Sequence, residues 1–311
     1  MRLSKKLMVV MGGGKRDVFS LTCTTTGAAT LTLAALTVDT SKTVTVDWGD
    51  AQSNVYTAGA GARTHNYAGA GTYAVRMVGA SGITLLDLRD TKLSGVISGI
   101  NPLPTGLTSL TLVSLPSLTY NVNAAPLPTG LTDLSLYNMA GVTYNANTNP
   151  LPTGLTTLYI NNLPSLTYNA NTNPLPAGLT SLTLNTLAGL TYNANTDPLP
   201  AGLTTLYLNN LAGLTYNANT DPLPAGLTSL SLVNSANLTQ AQVDAVLAGI
   251  YANRANYTYA TPTLDLLGTG NAAPSGAYAD ENPPTTGNGY KYELVVDPQA
   301  EGFKKWAITT A

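Results

Sequence analysis

Residues 150–173 read PLPTGLTTLYINNLPSLTYNANTN, and the same 24 positions return with few changes on both sides. Pro-Leu-Pro begins at Pro102, Pro126, Pro150, Pro174, Pro198 and Pro222, each 24 residues after the last. Leu107, Leu131, Leu155, Leu179, Leu203 and Leu227 keep the same step. In the quoted unit the apolar positions are Leu155, Leu158, Ile160, Leu163 and Leu166, an L-x-x-L-x-L-x-x-L-x-x-L pattern. Counting back 24 from Leu107 reaches Ile83, and Ile83, Leu86, Leu88 and Leu93 fit the register as an earlier unit without the Pro-Leu-Pro tag. Leu158 and Ile160 are two apart, so this piece is a short strand with alternate side chains turned inward. Gly106, Gly130, Gly154, Gly178, Gly202 and Gly226 mark the turn before each strand, and Pro-Leu-Pro forces an extended corner. One such coil cannot bury its own leucines, but stacked coils can. Seven or eight coils at ~4.8 Å per strand make a slab roughly 30–40 Å long.

The L-x-x-L-x-L core, in seven consecutive units over about residues 83–238, resembles a leucine-rich repeat protein. The resemblance implies a solenoid whose strand face carries ligands. One position departs from the family pattern. Where Asn or Cys is usual, this chain has Leu115, Met139, Leu163, Leu187 and Leu211. The family's buried Asn ladder is therefore either absent or moved to the Tyr-Asn-Ala-Asn stretch that follows. That stretch repeats as a column of its own: Tyr120, Tyr144, Tyr168, Tyr192 and Tyr216, with Asn121, Asn145, Asn169, Asn193 and Asn217. Identical residues in adjacent coils are expected to fall above one another, so rings can stack and amides can bond up the column. An aromatic platform for sugar is one reading; a structural ladder on the side away from the main sheet is the preferred one.

The two ends read differently from the middle. Residues 1–16 place Arg2, Lys5 and Lys6 before an apolar run, Leu7 to Met11, that is shorter than a secretory h-region; they are read as a retained arm. Residues 17–80 read as β, with strands expected at Phe19–Thr22, Ala29–Leu33, Thr43–Trp48 and Thr72–Val78. The run Val44-Thr-Val-Asp-Trp-Gly-Asp50, then His65-Asn-Tyr67 and Gly71-Thr-Tyr-Ala-Val75, resembles the PKD-type immunoglobulin-like domain. That resemblance implies turn and core hydrogen-bonding roles for Asp47 and His65. A catalytic His65, or a calcium ion shared by Asp47 and Asp50, is the functional alternative. In the C-terminal region 239–311, Thr239-Gln-Ala-Gln242 is a capping box. Val243, Val246, Leu247, Ile250 and Tyr251 follow at helical spacing, predicting a helix over 240–252. Thr263–Leu266 reads as one further strand, and Tyr290–Val296 and Lys305–Thr310 alternate like two more. The expected fold is mainly β: a leucine-rich-repeat solenoid of 24-residue repeats over 81–238, an N-terminal immunoglobulin-like β-sandwich, and a C-terminal helix-and-strand cap.

Charge narrows the function. Of 311 residues, 14 are Lys or Arg and 16 Asp or Glu, so 10% are charged where about 25% is usual. No Lys or Arg lies between Lys92 and Arg254, and the acids there are Asp133, Asp197, Asp221 and Asp244. A surface without cations cannot neutralise phosphates, which argues against nucleic acid, anionic lipid and nucleotides as partners. One cysteine, Cys23, and one histidine, His65, argue against a disulfide, a thiolate metal site or a Ser-His-Asp triad. No stretch approaches the ~18 apolar residues of a membrane span. Neither cofactor nor metal is expected.

The candidate ligand surface is the strand face whose residues alternate with the leucines. It carries Asp133, Tyr137, Tyr159, Asn161, Asn185, Tyr207 and Asn209, together with hydroxyls such as Thr111 and Ser135. Flanking residues repeat almost unchanged while these vary. Hydroxyls, amides and spaced tyrosines suit a glycan or a polar protein surface; a plain solvated sheet face of β-formers is the alternative. Asp197 and Asp221 occupy equivalent positions in successive coils, about 5 Å apart, a separation that suits a retaining glycosidase. The same position is Asn149 and Asn173 elsewhere, always before Pro, which reads as turn chemistry. A non-enzymatic virion surface protein is therefore expected: a phage tail fibre, spike or capsid decoration binding a host receptor or glycan beside other virion proteins. A secreted or cell-surface bacterial adhesin is the second reading and a glycan-cleaving enzyme the third; association of several copies stays open.

Overall fold

The computed structural model describes residues 17–216, 223–235, 238–254, 262–266, 271–280, 283–296 and 306–310. Six strands precede the repeats: β1 (Val18–Thr25), β2 (Ala29–Val38), β3 (Val44–Asp47), β4 (Ser53–Tyr56), β5 (Arg63–Tyr67) and β6 (Gly71–Val78). The coils then contribute strands in pairs, one to each of two sheets. The first sheet takes β7 (Ile83–Leu88), β9 (Ser109–Val113), β11 (Asp133–Tyr137), β13 (Thr157–Asn161), β15 (Ser181–Asn185), β17 (Thr205–Asn209) and β19 (Ser229–Ser231). The second takes β8 (Leu93–Ile97), β10 (Ser117–Asn121), β12 (Val142–Asn145), β14 (Leu166–Asn169), β16 (Leu190–Asn193) and β18 (Leu214–Thr215).

The protein is a β-solenoid of stacked turns of about 24 residues. Among these coil strands of the first sheet all neighbours are parallel and the register step is the repeat length. Leu110, Leu134, Leu158, Leu182, Leu206 and Leu230 lie side by side, and each is buried. The untagged unit takes its place as expected, with Leu86 opposite Leu110 and Leu88 opposite Leu112. The second sheet steps differently. Tyr120 pairs with Val142, Tyr144 with Leu166 and Tyr168 with Leu190. From β10 onward each coil there is displaced by two residues relative to the repeat, and β10 by one relative to β8, so equivalent tyrosines sit diagonally on one side of the sheet rather than above one another as expected.

Three repeated polar devices tie coil to coil. In the first, the backbone N–H groups of Thr108, Thr132, Thr156, Thr180, Thr204 and Thr228 donate to the carbonyl 24 residues earlier at 2.8 Å. Each threonine Oγ1 donates to the same carbonyl at 3.1–3.2 Å. In the second, the Tyr-Asn-Ala-Asn stretch does hold an amide ladder. The Oδ1 atoms of Asn123, Asn147 and Asn171 accept the backbone N–H of Asn145, Asn169 and Asn193 at 2.7–2.9 Å. The third sits where each first-sheet strand ends. Ser114, Asn138, Asn162, Thr186, Asn210 and Asn234 all adopt positive φ, between 50° and 54°, a conformation Asn tolerates and a β-branched residue such as Thr186 adopts only with strain. Asn162 Nδ2 donates to Asn138 Oδ1 at 2.8 Å, and Asn234 Nδ2 to Asn210 Oδ1 at 3.1 Å. Thr186 interrupts this column, and Asn210 Nδ2 turns instead to Asn185 Oδ1.

Of the six N-terminal strands, β1, β2, β3 and β6 fall where strands were expected and β4 and β5 were not foreseen; together they extend the solenoid sheets. β2 pairs antiparallel with β7 on one side and β5 on the other; β1 pairs antiparallel with β8 and β6. The result is one eleven-stranded and one ten-stranded sheet with the buried leucines between them. At the N-terminal end the core is aromatic. The His65 ring stacks on Trp48, with centroids 5.0 Å apart, and meets the Tyr67 ring edge-on. His65 Nε2 lies 2.7 Å from Asp50 Oδ2, which fastens the β3–β4 turn of one sheet to β5 of the other.

At the C-terminal end, helix α1 (Gln240–Ala252) forms with the expected capping box and buries Val243, Val246, Leu247 and Ile250. β20 (Thr263–Asp265) and β21 (Ala307–Thr309) add in parallel after β19. One expectation fails. Residues 290–296 are not a strand: Gly287–Val295 is a second helix, α2. Tyr290, Tyr292 and Leu294 alternate, but Tyr290 and Leu294 are also four apart, and the helical spacing prevails. Thr286 caps it by accepting the Gly289 N–H, and its Tyr290 meets Tyr251 of α1 at 5.6 Å.

Two predictions follow from these contacts. Thr186→Asn should relieve backbone strain and complete the asparagine column, raising stability by about 1 kcal/mol; a lowered or unchanged melting temperature contradicts this. Burial works against the Asp50 carboxylate, but hydrogen bonds from His65 and the Gln52 N–H outweigh it and hold the carboxyl below its ordinary range. Its stabilisation is therefore present above the unfolded value of about 3.9 and is lost as pH falls through the lower folded value. The stability gap between the native protein and Asp50→Asn should close on acidification below about pH 4, as followed by thermal melts; a gap independent of pH contradicts the pairing.

Candidate functional site on the eleven-stranded sheet

The residues that alternate with the buried leucines of the first sheet form its outer face and are partly exposed, except Thr183 and Ser231, which are buried. Register arranges them in rows that cross the strands. One row runs Asp87, Thr111, Ser135, Tyr159, Thr183, Tyr207, Ser231 and Asp265. The next runs Val113, Tyr137, Asn161, Asn185 and Asn209, and Arg89 follows Leu88 at its head.

The seven expected site residues share this face but divide into groups. Tyr137 and Tyr159 come together, with ring centroids 6.1 Å apart, and Asn161 Nδ2 donates to the Tyr159 hydroxyl at 3.3 Å. Asp133 stands two residues before Ser135 on β11 and accepts from Thr132 Oγ1 at 2.7 Å. Asn185 and Asn209 are committed elsewhere. Asn185 Oδ1 accepts from Thr186 Oγ1 and Asn210 Nδ2, and Asn209 Oδ1 from Ser231 Oγ and the Val233 N–H. Tyr207 lies farther along, in a hydroxyl chain through Ser229 to Thr263.

The two tyrosines wall a cleft of about 330 Å³ that also touches Arg89, Thr111, Val113 and Ser135. Arg89 was not among the expected residues. Its guanidinium is held by both oxygens of Asp87, Nε at 2.8 Å and Nη2 at 2.9 Å. The signal for it was available by taking the 24-residue step from Tyr137 back through Val113. Thr111 and Val113 are small, so this coil leaves a gap between the guanidinium and the rings. The arrangement offers ring faces, hydroxyls that donate and accept, and a matched charge pair, which is equipment for holding a polar ligand.

The other candidates that the structure describes make contacts within the fold. Tyr120, Tyr144, Tyr168, Tyr192 and Tyr216 are buried, at most 4% exposed, and burial drives the hydroxyls of the first three above the ordinary tyrosine range. Tyr168 and Tyr192 donate to the carbonyls of Asn173 and Asp197 at 2.9 and 3.0 Å. Asp197 Oδ2 accepts from Thr196 Oγ1 at 3.2 Å, while Asp221 lies outside the described residues. Asp47 caps the Gly49 N–H, Asp50 is engaged as above, and among the described residues no three metal-binding side chains cluster. The chain matches no family model, and no curated protein shows significant similarity to it. The class the structure defines is a β-solenoid of stacked ~24-residue turns with few helices.

The tyrosine column makes a direct comparison. The Tyr144 hydroxyl is buried with no hydrogen-bond partner, whereas that of Tyr168 is bonded. Tyr168→Phe should therefore cost about 1 kcal/mol and Tyr144→Phe nothing or less than nothing. Equal losses in urea unfolding contradict the difference.

Proposed function

We propose that this chain is a non-enzymatic recognition protein of leucine-rich-repeat type, with a PKD-like N-terminal domain, displayed on a virion as a tail fibre, spike or capsid decoration. Its ligand surface is the outer face of the eleven-stranded sheet, and its ligand a host-surface glycan or protein. The observation that carries this reading is the cleft between Arg89 and the Tyr137–Tyr159 pair, built on a sheet whose other parts repeat. The L-x-x-L-x-L spacing supports the repeat type, and the Trp48–His65–Tyr67 cluster with its Asp-Trp-Gly-Asp turn supports the N-terminal domain. The hydroxyl and amide surface supports binding rather than turnover, because the carboxylates nearest the cleft hydroxyls, Asp87 and Asp133, are engaged by Arg89 and Thr132. A secreted or cell-surface adhesin would use the same face.

Particle purification separates the two. Mass spectrometry of particles banded by density should find the chain at a fixed ratio to the major capsid protein. Recovery only from cell-envelope or particle-free fractions overturns the virion reading in favour of the adhesin. The recognition reading itself requires the purified protein to bind host cells or isolated envelope, and absence of such binding overturns it.

A further inference from the structure

Resting on that recognition reading, we propose that the cleft over Val113 is a subsite for a neutral pyranose, and that the glycan containing it runs along the solenoid axis toward Tyr207. Arg89 and Tyr137 stand two strand spacings apart, ~10 Å, with Val113 between them. The cleft thus has a charged wall, an aromatic wall and a low floor of one valine with the Thr111 and Ser135 hydroxyls.

A pyranose has two unlike kinds of surface: ring faces that carry C–H groups and a rim of hydroxyls. The electron-rich faces of Tyr137 and Tyr159 suit the first. The second suits groups that both donate and accept, namely the Thr111 and Ser135 hydroxyls. Asp87 occupies Nε and Nη2 of Arg89, leaving Nη1 to donate to a sugar oxygen.

Charge decides between neutral and acidic sugars. Arg89, the one charged side chain lining the cleft, is matched by Asp87, and Asp133 adds a carboxylate two residues from Ser135 on the same strand. A uronate or sulfated sugar meets no uncompensated cation there and one extra anion. A neutral sugar loses nothing.

The direction comes from the rows. Tyr207 is the next ring beyond Tyr159 in its row, two coils on, and Thr183 between them is only 9% exposed although it lies on the outer face. An extended β-linked glycan advances about as far per sugar as the sheet does per strand, ~4.8 Å. A chain seated at Tyr159 therefore reaches Tyr207 two sugars later.

The test is calorimetric titration of the full-length protein with neutral gluco-, galacto- and N-acetylglucosamine oligosaccharides of two and five sugars, beside matched uronate-containing oligomers. At least one neutral series should bind, and the acidic analogues should bind about tenfold more weakly or not at all. Tyr137→Ala with Tyr159→Ala, and separately Arg89→Ala, should lower affinity at least about tenfold while the circular dichroism spectrum and melting temperature stay native-like. Tyr207→Ala should weaken the five-sugar ligand several-fold and leave the two-sugar ligand unchanged. Preference for the acidic series, or full affinity in the folded double-tyrosine variant, overturns the subsite. Host-surface binding without any glycan binding overturns the subsite and leaves the recognition reading standing; loss of both overturns both.

Discussion

The fold depends on one constraint: each coil must present its backbone to the next at a fixed spacing, every turn. A parallel ladder satisfies N–H and C=O groups only where successive strands stay in register. The threonine that follows each turn enforces that register twice over, because its backbone N–H and its hydroxyl converge on a single carbonyl of the coil before. Two hydrogens on one acceptor with two lone pairs leave little freedom to slip. The leucines then fall into rows without further instruction, and a slip of one residue would turn all of them outward at once.

The same stacking explains the scarcity of charge. A residue in the repeat recurs about every 5 Å along the stack, so a charged rung would repel its own copies. Threonine, asparagine and tyrosine recur without that cost and gain hydrogen bonds from it. Charge reappears where the repetition stops: Asp87, Arg89, Asp90 and Lys92 lie in the first coil. The candidate cleft occupies this boundary, where a charge pair from an irregular coil meets rings on regular ones. The cation-free stretch thus reflects stacking first, and only its edge bears on ligand choice.

Much of this was legible in the residues. Leu86 and Leu88 announced a coil that lacks the proline tag, and Thr239 with Gln242 announced the helix that follows the repeats. Other features were hidden for physical reasons. Tyr290, Tyr292 and Leu294 satisfy two periods together, and the Thr286 cap, burial of Leu294 and the Tyr290–Tyr251 contact favour the helical one. The threonine ladder was overlooked because threonine after Gly-Leu reads as an ordinary β-former. Asn185 and Asn209 looked like ligand-facing amides, yet the positive-φ residues Thr186 and Asn210 claim the Asn185 acceptor, and Ser231 with the Val233 N–H claims that of Asn209.

By itself, the sequence determined the 24-residue period, the inward leucines, the outward face and the shortage of cations, because each follows from spacing and composition alone. Tertiary structure decided the rest. Only the parallel register sets Arg89 in line with Tyr137, and only the antiparallel pairing of β1 and β2 shows the N-terminal strands continuing the two sheets. The second sheet's displacement by two residues per coil likewise makes the tyrosine column diagonal. Period is a property of one chain segment, whereas register is a relation between segments distant in sequence, set by which hydrogen bonds close.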